Sequence, residues 1–241
     1  MHDWIVPDWP APAAVRALIT TRHGGVSGGA CASLNLALHV GDDPAAVAEN
    51  RARLRRHLPD EPLWLDQVHG VTVVRADQVQ QGARADGSVT RRRGTVCAVM
   101  TADCLPLLLC DAAGSVVGIA HAGWRGLAAG VIEATVRAME QPGGDLLAYL
   151  GPAIGPASFE VGAEVRAAFL DHDARASAAF VAAGEGKFLA DIYELARQRL
   201  ADAGVRAVFG GGADTCVEVQ RFFSFRRDRA SGRMAALIWL A

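Results

Sequence analysis

The 241-residue sequence holds a single lysine, Lys187, only five cysteines, and no long apolar run. No stretch approaches the roughly 20 consecutive apolar residues that cross a bilayer, and Met1-His2-Asp3-Trp4 lacks the basic start and apolar core of a secretory leader. A cytoplasmic protein with no membrane partner is expected. The cysteines, at positions 31, 97, 104, 110 and 216, are odd in number and scattered, which excludes a dense disulfide scaffold and suits a reducing compartment. Arginine replaces lysine almost everywhere, a matter of genome composition. A formal charge of -2 gives no large positive field to hold nucleic acid, so a small-molecule partner is the better expectation. Nothing in the sequence speaks to self-association.

What is present is enough to fold. A hydrophobic fraction of 51% against 21% charged residues supports a substantial core. No linker and no repeat divides the chain, so residues 1–241 are expected to form one domain. Asp43 as cap and Pro44 in the first turn predict a helix whose Val47, Leu54 and Leu58 share one face, with Arg51, Arg53, Arg55 and Arg56 mostly solvated. Apolar runs at 95–100, 105–110, 115–120, 146–150, 207–209 and 235–240 read as strands, and 126–139 and 189–203 as helices. The expectation is a mixed β-sheet covered by helices, in the α/β to α+β class.

Three metal-binding residue types stand at the ends of strand-like runs beside turns: His69 in Gln67-Val68-His69-Gly70, Cys104 in Thr101 to Pro106, and His121 in His121 to Gly126. Two imidazoles and a thiolate match a catalytic zinc site, in which three protein ligands leave the fourth position to water or substrate. Ligands this far apart carry no signature in their spacing. An inert buried thiol and a hydrogen-bonded core histidine are therefore the alternative. Gly123-Trp124-Arg125-Gly126 adds a strand-to-helix junction with a guanidinium suited to phosphate, or simply a tight turn.

The chain resembles the YfiH-type family, also called the laccase-domain or polyphenol oxidase family, whose members are described as zinc-dependent purine nucleoside phosphorylases. The resemblance rests on Thr20 to Ser27, Ser33 to Leu36, Asn50-Arg51, Trp64 to Gly70, Ala85 to Gly87, Thr101 to Pro106, His121 to Gly126, Gly151 to Gly155, Phe222 to Arg227 and Gly232-Arg233-Met234. It spans nearly the whole chain and departs from the usual pattern at Ala30-Cys31, which bears on purine stacking there. It implies that His69, Cys104 and His121 are the metal ligands and catalytic centre. It implies also that adenosine, inosine and methylthioadenosine are cleaved with phosphate, with some adenosine deamination.

In that reading Arg125 and Arg22 are candidates for phosphate, and Asn35 and Gln67 for the nucleoside. Asp86 and Asp103 either shuttle protons or orient a metal ligand from behind. Two other chemistries use the same residues. Cys104 with His121 as base would serve a hydrolase, and relatives have been linked to editing of cell-wall (peptidoglycan) precursors. A single copper at the trio would suit a polyphenol oxidase, although seven histidines in all are too few for a multicopper laccase. A closed structural metal site would need a fourth protein ligand, and none stands out. Phe222-Phe223-Ser224-Phe225 is read as packing, Arg91-Arg92-Arg93 as a solvated loop and Gly210-Gly211-Gly212 as a turn.

Overall fold

The computed structural model describes residues 2–241. Strand β1 (Val15–Ile19) precedes helix α1 (Pro44–Arg55), whose start is capped as expected, the Asp43 carboxylate accepting the Ala45 N–H. Next come β2 (Val73–Arg75), β3 (Gly87–Thr90), β4 (Cys97–Thr101), β5 (Leu105–Asp111) and β6 (Val117–Ala122), the last four buried along their whole length. The helix expected over 126–139 is in fact two, α2 (Trp124–Ala129) and α3 (Val131–Met139), because Gly130 sits between them in the left-handed region at φ 104°. Then follow β7 (Leu146–Leu150), β8 (Glu160–Gly162), α4 (Ala163–Leu170), β9 (Phe180–Gly184), β10 (Lys187–Ala190) and α5 (Ile192–Asp202). Helix α5 starts later than the apolar pattern suggests. Leu189 and Ala190 belong to β10, and the Asp191 carboxylate accepts the N–H groups of Tyr193 and Glu194. Strand β11 (Ala207–Gly210), the short α6 (Phe225–Asp228) and β12 (Met234–Leu240) complete the chain.

Six strands form a mixed sheet in the order β11-β7-β5-β6-β3-β2, parallel at its two outer pairs and antiparallel within. A second sheet, β1-β12-β4, is antiparallel and joins the first strand of the chain to the last. The alternation of side chains along each strand shows how the layers stack. Leu105, Leu107 and Leu109 of β5 pack with Leu127, Val131, Ile132, Leu195 and Leu200 of α2, α3 and α5. Leu108 and Cys110 point the other way, onto Cys97, Val99, Ala236 and Ile238 of the three-stranded sheet. The outer face of that sheet, through Ala98, Met100, Ala235 and Leu237, packs on Leu54 of α1 and on Leu58 and Trp64. The result is helix, sheet, sheet, helices, a mixed α/β fold as expected. Both sheets are covered on both sides, which is why their strands read as unbroken apolar runs. A small sheet, β8-β10-β9, extends the helical side. Its strands, like β2 and β3, are too short to show a period in the sequence. No helix among the described residues is long and apolar enough to cross a membrane.

Gly130→Ala would force a Cβ into the left-handed region, with the Arg199 guanidinium 3.3 Å away. A loss of about 1–2 kcal/mol in urea unfolding is expected, and unchanged stability would show that the helix break does not depend on glycine.

Candidate metal centre

Strand parity and register carry the site. On β6, Val117 and Ile119 face the three-stranded sheet, so His121 faces the same way at the strand's end. Pro106 of β5 pairs with His121, which brings Cys104, two residues back, to the same end of the sheet. Gly87 of β3 pairs with Ala120, and the Asp86 carbonyl accepts the His121 N–H at 2.7 Å. Asp86, Cys104 and His121 therefore meet at the open end of the space between the two sheets. Thr101 at the end of β4 borders the cavity there, as does Met100, whose side chain packs on the outer face of the three-stranded sheet.

His69 is not on a strand. It reaches the site from a loop at φ 59°, unusual for a residue with a side chain, and the Asp86 carboxylate holds it there. That carboxylate accepts the N–H groups of Val68 (3.2 Å), His69 (2.9 Å) and Gly70 (2.7 Å), and also contacts His121 Nδ1 at 2.9 Å. One buried anion thus shapes the His69 loop and turns His121 so that Nε2 faces the cleft.

The ligand atoms of His69, Cys104 and His121 all lie within 4.8 Å of one another, with Cys104 Sγ to His69 Nε2 at 3.8 Å. Tetrahedral nitrogen and sulfur ligands at zinc distances stand about 3.6 Å apart, so the group can hold a metal ion with little movement. Glycine at 123 is required by this cluster: a Cβ there would lie 2.8 Å from His69 Cδ2 and 2.9 Å from Cys104 Sγ. At Gly126 a Cβ would meet the Gly70 carbonyl at 2.8 Å, so α2 packs directly on the His69 loop.

Charge organises the same atoms. Burial pushes the Cys104 thiol up, but the His121 charge and hydrogen bonds from both imidazoles outweigh it and hold the thiol at about 6. Burial pushes His121 down, yet the Cys104 thiolate and the Asp86 carboxylate lift it to about 9. Asp86 itself is held below the usual carboxylate range. Its burial is outweighed by the hydrogen bonds of His121, Gly70 and Val68 and the charge on His121. Between these two values the metal-free centre is a thiolate–imidazolium pair backed by a carboxylate.

Two cavities meet at Cys104. One, of about 240 Å³, is lined by His39, Gln67, Met100, Thr101, Arg233 and the trio. The other, of about 200 Å³, is more apolar, with Trp124, Ile154, Phe159 and Ile192 on its walls and Arg226 and Arg229 at its edge. Phe225 lines both. A larger hollow of about 700 Å³, between Pro59–Glu61 and Arg92–Val96, contains none of the trio and is lined by charges of both signs.

A family model described as multi-copper polyphenol oxidoreductase laccase matches residues 16–241. The chain belongs to this family. It is 58% identical over its full length to a purine nucleoside phosphorylase of Pseudomonas aeruginosa, covering 99% of that protein. It is 55% identical, with both chains covered completely, to purine nucleoside phosphorylase YfiH of Escherichia coli. The crystal structure of a Neisseria meningitidis protein superposes with a TM-score of 0.96 at 52% identity, covering 99% of each chain.

In this laccase-family chain the remaining sequence candidates separate into two groups. Asp86 stands behind His121 and His69 as described. Asp103, at φ 87°, accepts hydrogen bonds from the Thr215 hydroxyl (2.6 Å), the Ser224 hydroxyl (3.1 Å) and the Arg226 N–H (2.6 Å), and so ties the C-terminal segment to the Cys104 loop. Gln67 lines the cleft, but its amide is bonded to both the N–H and the carbonyl of Met100. Asn35 is fully buried and bonds Ala37, Asp42 and the Arg233 N–H, so it positions backbone and does not face the cleft.

The two arginines named for phosphate lie outside the walls of both cavities. Arg22 donates to the Ala32 and Val219 carbonyls over the Phe223 ring, in a separate surface pocket with His23 and Ser33. Arg125 is exposed and stacked on Trp124, outside the walls of both cavities. Phe222 and Phe223 are fully buried as expected, whereas Phe225 is 47% exposed and divides the cavities. His39 and Arg233 are cleft residues the sequence reading did not single out for the site. Only Arg233 carried a signal, as part of the Gly232-Arg233-Met234 motif.

Asp86→Asn removes the anion that orients His121 and the His69 loop. Its metal affinity should fall about 10- to 100-fold in competition with a chromogenic chelator, and unchanged affinity would show that the carboxylate does not act through the ligands. The pH dependence has a defined sign. Metal affinity should fall as pH drops below about 9, where the ion must displace the His121 proton, and fall more steeply below about 6, where Cys104 is protonated as well. Between about 6 and about 9 metal loading should displace the His121 proton, releasing about one proton per ion by calorimetry in buffers of differing ionisation enthalpy.

Proposed function

We propose that this chain is a zinc-dependent purine nucleoside phosphorylase acting on adenosine, inosine and methylthioadenosine, with accompanying adenosine deamination. One observation carries the reading. A chain 58% identical end to end to a protein of that name has a two-histidine, one-cysteine group at the junction of two cavities.

His69, Cys104 and His121 would hold the zinc, which supplies Lewis acidity toward an oxygen or nitrogen of the substrate. A soft thiolate with two imidazoles suits zinc and also accepts copper, so metal identity is part of the test. In phosphorolysis a phosphate oxygen forms a bond to the ribose anomeric carbon. The bond from that carbon to the purine nitrogen breaks, and the base leaves with the electron pair and takes up a proton. The chain's own contribution is positional. Asp86 fixes the His121 ring, Asp103 holds the Cys104 loop against α6, and the apolar walls at Trp124, Ile154 and Phe159 exclude water from a bound nucleoside. Deamination would exchange the exocyclic amine for water oxygen in the same cleft.

The depressed Cys104 thiol beside His69 also favours a second reading, a thiol hydrolase with Cys104 as nucleophile. The two diverge in what they require. Protein purified without added metal should carry near-stoichiometric zinc and release hypoxanthine from inosine only with phosphate, and Cys104→Ala should lose both. Metal-free protein with no phosphate-dependent release would reject the phosphorylase and leave the hydrolase.

A further inference from the structure

The cavity lined by His69, Cys104 and His121 contains one arginine whose bonding is incomplete. Arg233 follows the Ser231–Gly232 turn into β12, and its Nη1 donates to the Ser231 carbonyl (2.8 Å), the Ser231 hydroxyl (3.2 Å) and the Gly232 carbonyl (3.1 Å). No acceptor among the described residues engages its Nε or Nη2, and no carboxylate pairs with it. Its backbone is clamped on both sides, the N–H donating to Asn35 Oδ1 at 3.0 Å and the carbonyl accepting from Leu36. The Phe225 ring stands 5.7 Å from the guanidinium carbon. The group is therefore half-buried, held at one nitrogen, and lines the same cavity as Cys104 and His121.

We propose that Arg233 is the phosphate-binding residue of this site, gripping the anion with its free Nε–Nη2 edge on the His39 side of the cleft. This assignment rests on the phosphorylase reading for the identity of the anion. A planar guanidinium fork matches two phosphate oxygens, and a fork already fixed at its third nitrogen loses little freedom on binding. Burial holds the Arg233 pKa down while the charges of Cys104, Asp103 and Cys31 oppose it, consistent with a cation that lacks a dedicated carboxylate. In the same cavity, burial and the Arg233 charge keep His39 below its ordinary value, leaving an imidazole able to donate one N–H. Asn35 then acts as a positioning residue for Arg233. Of the other arginines near the centre, Arg51 bonds the Leu36 carbonyl and stacks on Trp64, and Arg226, held at Nη1 by the Glu160 carbonyl, lines the apolar cavity, whose walls include neither His69 nor His121. Arg229, exposed at the edge of the apolar cavity, is the rival.

The test separates phosphate binding from phosphate turnover. In zinc-loaded wild type, phosphate should raise Tm, and that rise should vanish in Arg233→Gln. With inosine as substrate, Arg233→Gln should raise the phosphate KM about 10- to 100-fold, with zinc content and inosine KM unchanged. Arg233→Lys, which keeps the charge without the fork, should recover part of the loss and carries the comparison if Arg233→Gln fails to fold. An unchanged phosphate KM and Tm rise in Arg233→Gln would overturn the assignment, as would the same losses in Arg229→Gln with Arg233→Gln unaffected. Phosphate binding that depends on Arg233 in a wild type without phosphate-dependent cleavage would reject the phosphorylase and support the anion site.

Discussion

The Asp86 carboxylate is the interaction on which the site depends. A buried anion must be fully paired or it drives the protein to protonate it or unfold. Asp86 meets that demand with three consecutive backbone N–H groups on one side and an imidazole on the other. The same bonds that stabilise it therefore also set the His69 backbone in its left-handed conformation and fix which His121 nitrogen faces the cleft. Loop, strand and ligand orientation are one event. The Cys104 thiolate extends the chain of charge outward, so that carboxylate, imidazolium and thiolate alternate in sign toward the cavity.

The fold supplies the place for this chain. Stacking two sheets leaves a dry interior between them, closed along most of its length by Val99, Leu108, Ile119 and Ile238. At one end the apolar filling stops, and Asp86 before β3, Cys104 before β5 and His121 at the end of β6 stand there instead. The end would lie open but for the C-terminal segment, which Asp103 draws in through Thr215, Ser224 and Arg226. That segment brings Phe225 and Arg233 to the cleft from more than a hundred residues away in sequence. The site is thus made rigid from behind by buried carboxylates and open in front, an arrangement that favours positioning over adaptation.

Several local features were legible because they depend on neighbouring residues alone. Asp43-Pro44 starts a helix whatever surrounds it, and the apolar runs of β4, β5, β6 and β12 read as strands because both faces are buried. The break at Gly130 was not legible, since an isolated glycine in a helical pattern is usually tolerated. Arg22 and Arg125 looked as suitable for phosphate as any arginine, and Asn35 and Gln67 as suitable for a nucleoside. Their hydrogen bonds to distant backbone and their distance from the cavities cannot be read from adjacent residues, and neither can the place of Gln67 in the cavity wall.

By itself the sequence determined the secondary elements with strong local signals, the mixed α/β class, and, through its motifs, the residue types of the metal trio. The tertiary structure alone decided that these residues meet, that Asp86 orients two of them, and that Arg233 and His39 share their cavity. The reason is physical. Capping, period and turn chemistry act within a few residues, whereas a binding site is defined by strand register and by which buried polar atoms satisfy one another across the core. A guanidinium is a phosphate ligand only where its neighbours leave its donors free, and that is a property of the packed chain.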